Sequence, residues 1–466
     1  MPFLSFSELS RVLPGEWLVP PVDESSGIVC VSDDSRKLPK GALFVAIAGE
    51  LTDGHKYVGK AVEGGASAVV VQEKPSAEVL ERMSEAGCAC RQVADSLVAY
   101  QQLARWHREC YPGVKVVGVT GSCGKTSTKE MIASILEERF PGGVLKTAGS
   151  TNNHFGVPRN LFRIDDATKV AIVEMGTNHP GEIASLAALA PAQIGVVCNI
   201  GRAHLEFFHD LRGVAKEKSA ILAAVTPGGV AIYPGEAEGA DILRDAAKSA
   251  GRILSFGTRE QDDLQYRYLG YEQGQFRLCL RWKYSGEERV FLWNLGGVHM
   301  AANAACAALA ATAAGCTPDQ VVEGLRKCVL PGERLHLVEC DGVCWVNDAF
   351  NANPTSMKAA LDWFAEVAPK DAPQLLVLGD MRELGAGSEE SHREALSYAL
   401  SKCPKAEILA VGEEMKKALD ALPDISRCRW AKDAAEAKAQ LQSPVAGSWI
   451  LLKSSHGVGL AALAPA

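Results

Sequence analysis

The sequence predicts an α/β protein of three domains, with a central P-loop ATPase-type parallel sheet and helices on both faces. Three observations carry this expectation. The chain has 466 residues, enough for roughly three domains. Short apolar runs alternate with helical patterns, as in VAIVEMG (170–176) and IGVVCNIG (194–201), the spacing of a doubly wound sheet. A glycine loop, Gly121-Ser122-Cys123-Gly124, sits between the β-branched run Val116–Val119 and Lys125-Thr126.

The first domain is expected over 1–113. Within it ALFVAIAG (42–49) and ASAVVVQ (66–72) read as buried strands. The helical AYQQLARWHREC (99–110) precedes a breaker, Tyr111-Pro112-Gly113. The central domain, 114–330, opens with the glycine loop. A ligand there would sit at the carboxyl ends of the strands. Residues 253–298 alternate polar and apolar and are expected to form antiparallel strands. The alanine-rich run 300–316, which carries Asn303, reads as a buried helix rather than a membrane span. The third domain, 331–466, begins near Pro331-Gly332. Its strands are expected at VCWVNDAF (343–350), QLLVLGDM (374–381), AEILAVG (406–412) and SWILLKSS (448–455).

Composition narrows the function. The chain is 47% hydrophobic and 22% charged, as globular proteins are. A net charge of -8 argues against a nucleic-acid partner. An anionic substrate then has to be held by local cations and helix ends. The start, MPFLSFSELSRVLPGEW, has no basic segment followed by an apolar stretch, so no secretory signal is expected. The 14 cysteines are scattered without a CxxC pair; the close pairs Cys88/Cys90 and Cys340/Cys344 have no matching histidines. Reduced thiols in a cytoplasmic protein are expected, not zinc.

The glycine loop implies a nucleoside triphosphate. Backbone N–H groups of such a turn bind anionic oxygens, and the following helix adds its positive end. The nucleotide cradle is placed on Thr120, Gly121, Ser122, Cys123, Gly124, Lys125, Thr126 and Ser127. Lys125 would reach the β- and γ-phosphates, and the Thr126 hydroxyl would ligate Mg²⁺. The spacing departs from GxxxxGK, since Val119 stands where that pattern has glycine. Cys123 reads as loop filler; a helix N-terminus can activate a thiol, but that is the weaker reading.

Two further groups follow strands. Glu174 ends a buried run beside the loop and reads as a Mg²⁺ ligand. His204 follows a second run and pairs in spacing with Lys218. A neutral lysine amine reacts with CO₂ to give a carbamate, which turns a cation into an oxygen ligand. An ordinary phosphate-binding lysine is the alternative, and Lys216 competes for the same role.

The stretches TGSCGKTS, TNNHFGVP, EMGTNHPGEI, NIGRAHLE, NDAFNANPTSM and GDMRELG, with DSR, GALFVAIAGE and DGH near the start, resemble the Mur ligase family. The likeness covers nearly the whole chain. It implies a UDP-sugar-binding domain, an ATP-binding domain and a Rossmann-like ligase domain. It implies an ATP-dependent ligase of peptidoglycan synthesis that joins D-Ala-D-Ala to UDP-N-acetylmuramoyl-tripeptide. NDAFNANPTSM and GDMRELG argue against related tripeptide synthetases and folylpolyglutamate synthases. A P-loop binding module without ligation is the other alternative; it would have no use for His204 with Lys218.

By the same resemblance Ser35 and Arg36 would bind the uridine diphosphate, and Thr151, Asn152 and Asn153 would line the donor peptide. Asn303 would touch adenine, and Arg334 and Asp348 would close over ATP from the third domain. Lys218 matches the family's carbamylated lysine, fourteen residues after His204. The catalytic set is then Lys125, Glu174, His204 and Lys218. The metal set is Thr126, Glu174, His204 and Lys218, at two Mg²⁺ sites. A monomer is expected. The chain departs from the family at Phe207-Phe208-His209, at Arg159, and at Lys453-Ser454-Ser455-His456.

Overall fold

A computed structural model describes residues 3–49, 52–272, 274–441 and 444–465. Glu50 of the GALFVAIAGE stretch, Gln273 and the initial Met1-Pro2 lie outside the described residues. Three main sheets succeed one another along the chain, and each is mixed with a parallel majority.

The first sheet has five strands in the order Glu16–Val19, Ala89–Gln92, Ala68–Val71, Leu43–Val45, Val31–Ser32. Only the Glu16–Val19 strand is antiparallel to its neighbour. Successive side chains go to opposite faces. Leu43, Val45, Ala68 and Val70 therefore pack against Tyr100 and Leu103 of the helix Ser96–Glu109. Phe44, Val69 and Val71 pack on the other side with Val58 and Met83. Burial on both faces is why these strands read as continuous apolar runs.

The central sheet has nine strands. Its parallel heart is Val230–Pro234, Ile194–Val197, Lys115–Thr120, Val170–Glu174 and Val144–Lys146, in that spatial order. Val117 and Val119 face the helices Lys125–Glu137 and Val298–Ala313. Val116, Ala171 and Val173 face the helices Glu182–Leu189 and Leu211–Ala223. The alanine-rich helix is buried along nearly its whole length, as expected. Among the described residues no helix is long and apolar enough to cross a membrane.

The expectation of antiparallel strands across 253–298 needs a correction. Arg252–Gly257 pairs in parallel with Val230–Pro234 and with Leu264–Glu272. The helix Ala240–Ala246 carries the chain back across the sheet before Arg252, and such a crossover delivers a parallel strand. Antiparallel pairing starts only beyond Leu264, through Gln275–Trp282 to the edge strand Glu288–Trp293.

The third sheet runs His336–Cys340, Val343–Asn347, Trp449–Lys453, Gln374–Gly379, Glu407–Val411, Cys428–Ala431. All pairings are parallel except the first. The last strand, Trp449–Lys453, fills the gap left between Val343–Asn347 and Gln374–Gly379. That gap is the topological switch point, where open α/β sheets bind ligands. One apolar core runs without a break from the central sheet into this one, through Met300, Ala304, Met357 and Phe364.

Candidate active site

The strand Lys115–Thr120 is buried and delivers the glycine loop to the sheet's carboxyl edge. Thr120 Oγ1 donates to the Met175 carbonyl at 2.8 Å, tying that edge to the next strand. Gly124 has φ +73°, and a Cβ there would lie 2.6 Å from Asn303 Oδ1. Backbone sign and space therefore both demand glycine. The loop is stitched to the segment after Ile194–Val197. Ser122 Oγ donates to the Gly201 carbonyl at 3.0 Å and accepts from Gly201 N at 2.9 Å. Cys123 N donates to Asn199 Oδ1 at 3.0 Å, and Asn199 Nδ2 donates to Cys123 Sγ at 3.3 Å. Burial raises the Cys123 thiol pKa, which favours the filler reading over a thiolate nucleophile. Lys125 is folded back, donating from Nζ to the carbonyls of Gly121 at 2.9 Å and Ser122 at 3.4 Å.

Glu174 is the hub. It is 1% exposed, and its carboxylate accepts from Thr126 Oγ1 at 3.1 and 3.2 Å and from Asn152 Nδ2 at 2.8 Å. Register explains the meeting: Glu174 lies opposite Val119, the last residue but one of the loop strand. Lys129 is also there, fully buried. Its Nζ donates to the Thr147 and Gly149 carbonyls, both at 2.8 Å, and lies 3.2 Å from Glu130 and 3.6 Å from Glu174. The oxygen donors of Thr126 and Glu174, beside a phosphate loop, fit Mg²⁺, which takes few protein oxygens and completes its shell with phosphate and water.

His204 begins the short helix Leu205–Phe208 with φ +53°. It lines the same cavity as the glycine loop. Lys218 is 1% exposed on the inner face of Leu211–Ala223, while Lys216, two positions away, is exposed. Burial first, and the nearby Lys125 second, pull the Lys218 pKa down to about 7. A neutral amine is the form that reacts with CO₂, so the residue fits the carbamate chemistry. Glu217 faces elsewhere: it accepts from Gly181 N at 2.7 Å and Ile183 N at 2.9 Å, capping Glu182–Leu189. His209, with φ +66°, is exposed.

The third sheet closes the cavity. Arg334 Nη2 donates to Ser150 Oγ at 3.2 Å and Thr126 Oγ1 at 3.4 Å. Its guanidinium lies 3.8 Å over the Phe350 ring, a stacking geometry that holds it in place. Asp348, at the end of Val343–Asn347, accepts from Leu335 N at 3.2 Å and pairs with Lys453 Nζ at 2.7 Å. Asn303 lines both this cavity and a neighbouring one walled by Tyr266, His299, Lys358 and Trp363. Burial lowers the His299 pKa to about 4, so a neutral ring faces the site.

A second cleft separates the first sheet from the central one. Ser35, Arg36, Asn152, Asn153, Arg159 and His179 line it. Ser35 and Arg36 sit on a single turn capped by Asp34, which also pairs with Arg36 at 2.8 Å. Asn153 Oδ1 accepts from Gly156 N at 2.9 Å. Thr151 does not line either cleft; its hydroxyl donates to the Ala148 carbonyl at 2.7 Å and its backbone oxygen accepts from Asn160. Arg159 grips Asp33 with two nitrogens at 2.6–3.1 Å.

Three family profiles match the chain in order: "Mur ligase family, catalytic domain" over 27–108, "Mur ligase middle domain" over 119–311, and "Mur ligase, glutamate ligase domain" over 333–456. The UDP-N-acetylmuramoyl-tripeptide–D-alanyl-D-alanine ligase of Bacillus subtilis is 35% identical over 382 residues, 81% of this chain and 79% of that one. The chain belongs to the Mur ligase family. The ligase of the same name from Escherichia coli is 33% identical to this Mur ligase, over 88% of its length and 86% of the relative's. The crystal structure of MurF from Acinetobacter baumannii superposes with a TM-score of 0.87 at 30% identity, covering 99% of this Mur ligase and 98% of that chain. Its three-sheet α/β architecture is therefore the MurF architecture.

Four residues of this Mur ligase's site escape a sequence reading: Lys129, Asn199, Lys453 and Glu383. Lys129 stands one turn after Lys125 in GKTSTKE, and that spacing is the only local signal of its inward face. The other three meet their partners across long sequence separations.

Proposed function

We propose that this Mur ligase joins D-Ala-D-Ala to UDP-N-acetylmuramoyl-tripeptide at the expense of ATP. The observation that carries this is the convergence of two clefts on Asn152. One cleft is suited to a sugar nucleotide. The other holds the glycine loop, Glu174, His204, Arg334 and Asp348. In this reading residues 1–113 hold the UDP sugar, 114–330 hold ATP, and 331–466 bring the acceptor and the closing residues. A single chain supplies both clefts, so a monomer suffices. The 14 cysteines are all free thiols, which fits a reducing cytoplasm.

A carboxylate is a poor electrophile toward an amine, which forms a salt with it. In the first step a donor carboxylate oxygen takes the γ-phosphoryl group, and ADP leaves. In the second the acceptor amine attacks the acyl carbon, phosphate leaves, and the amine proton is lost. Lys125 unfolds from its own loop to place a fixed positive charge on the phosphates. Asn152 and Ser35-Arg36 hold the donor, and Arg334 with Asp348 seats the nucleotide. Thr126 with Glu174, and His204 with carbamylated Lys218, would hold two Mg²⁺ ions, which when bound offset charge on the phosphates and the carboxylate. The Lys218 amine nitrogen attacks the carbon of CO₂ and releases a proton, leaving an anionic carbamate.

The test is an acceptor panel. With ATP and UDP-muramoyl-tripeptide, phosphate release is expected with D-Ala-D-Ala and not with single amino acids. Release with a single amino acid and none with the dipeptide would reassign the acceptor. For Lys218, Lys218→Ala activity is expected to return with short carboxylates.

A further inference from the structure

His204 and Glu383 both adopt left-handed backbone conformations, with φ +53° and +62°, and neither is glycine. Such residues are strained and persist where their surroundings hold them. They lie 179 positions apart in sequence, at the carboxyl edges of different sheets, and their side chains meet. His204 Nδ1 lies 2.6 Å from Glu383 Oε2. At that distance the two groups are an ion-pair contact and not an aligned hydrogen bond: Nδ1 is sealed from solvent without a hydrogen-bond partner among the described residues, and the Glu383 carboxylate is the charged group that faces it. The backbone around the pair is fixed on both sides. The His204 carbonyl accepts from Phe207 N at 3.0 Å and Phe208 N at 3.1 Å. Two residues after Glu383, Gly385 has φ +57°, and a Cβ there would come within 3.2 Å of Glu206. A side chain at Gly385 would be strained and would crowd Glu206, two residues after His204.

We propose that Glu383 is a positioning residue for His204: its carboxylate takes the Nδ1 proton side of the ring and leaves Nε2 as the metal-binding lone pair. A carboxylate on the distal nitrogen of a metal-binding histidine fixes its tautomer and ring orientation. Because Glu383 lies in the loop after the third-sheet strand Gln374–Gly379 and His204 in the loop after the central strand Ile194–Val197, the ring is oriented only while the two units are docked. Docking of the ligase domain is thereby coupled to completion of the metal site. The inference rests on the reading of His204 as a metal ligand.

Three full-length variants test it: Glu383→Ala, Glu383→Gln and His204→Ala. Each is mixed with Mn²⁺, a non-hydrolysable ATP analogue and UDP-muramoyl-tripeptide. Electron spin echo modulation from a histidine nitrogen is read on that mixture, and the Mg²⁺ concentration for half-maximal phosphate release is measured separately with ATP, UDP-muramoyl-tripeptide and D-Ala-D-Ala. Glu383→Ala is expected to lose the nitrogen modulation and need about 10–100-fold more Mg²⁺, with KM for ATP little changed. Glu383→Gln keeps an acceptor oxygen and is expected to retain the modulation, which also separates positioning from misfolding. If Glu383→Ala keeps both signals while His204→Ala loses them, Glu383 has no positioning role and the metal reading survives. If His204→Ala itself keeps the modulation, the metal reading fails and this inference with it.

Discussion

Lys129 and Lys218 are both buried lysines of the central unit, and they differ in what surrounds them. Lys129 has two carbonyls and two carboxylates within 3.6 Å, a full complement for a cation. Lys129→Met would leave the buried Glu174 short of counter-charge, while Glu130 keeps Lys146. Breaking a buried pair in this way costs about 3–5 kcal/mol, and urea unfolding is expected to show a loss of that order. Lys218 has Lys125 for a neighbour, and its folded pKa of about 7 lies below its ordinary 10.5. Below pH 7 both folded and unfolded chains hold its proton. Between those values the unfolded chain binds more protons, so stability rises with pH, by at most about 1.4 kcal/mol per unit. In CO₂-free buffer the unfolding midpoint is expected to climb from pH 7 toward 10, and Lys218→Met to flatten that climb. Sequence could not separate Lys216 from Lys218 because spacing names a helix, not its inward face. Two positions on a helix are about 200° apart, so only packing decides which lysine is buried.

At the scale of elements, the glycine loop was legible because its chemistry is contiguous: strand, turn, cation, hydroxyl. Glu174 was legible for a related reason, as a charge closing an apolar run. The parallel strand Arg252–Gly257 was not, since strand direction depends on the crossover that precedes it and not on its own alternation. Glu383 and Lys453 were also hidden, because each acts on a residue from another strand. Gly124 shows how tightly the elements are set. Gly124→Ala is expected to lower kcat/KM by about 100-fold, the loss that a misplacement of 1 Å can bring. Adding Asn303→Ala would remove the clash at 2.6 Å but not the backbone strain, so steady-state kinetics on the pair should show partial recovery at most.

Across the whole molecule, Arg159 links the first sheet unit to the central one by gripping Asp33, whose neighbour Asp34 caps the turn carrying Ser35 and Arg36. Arg159→Ala is expected to raise KM for the UDP-sugar donor several-fold and leave KM for ATP unchanged, since the glycine loop lies in the other cleft. A parallel rise in both constants would show instead that the two clefts move as one. The three-unit division was readable from composition and breakers, whereas the contacts between units were not, because they join residues from about fifty to more than two hundred positions apart.

The helix Val298–Ala313 works as a shim. Its methyl side chains leave no slack between the loop helix and the strands behind it, and Asn303 rides on its inner surface. Thickening that shim from the rear, with valine at Ala305 or Ala308, would push Asn303 toward Gly124 without touching any residue that meets the nucleotide. With the nucleotide seated as proposed, with adenine against Asn303, base preference would be tunable from the interior, by the bulk of side chains that never see a ligand.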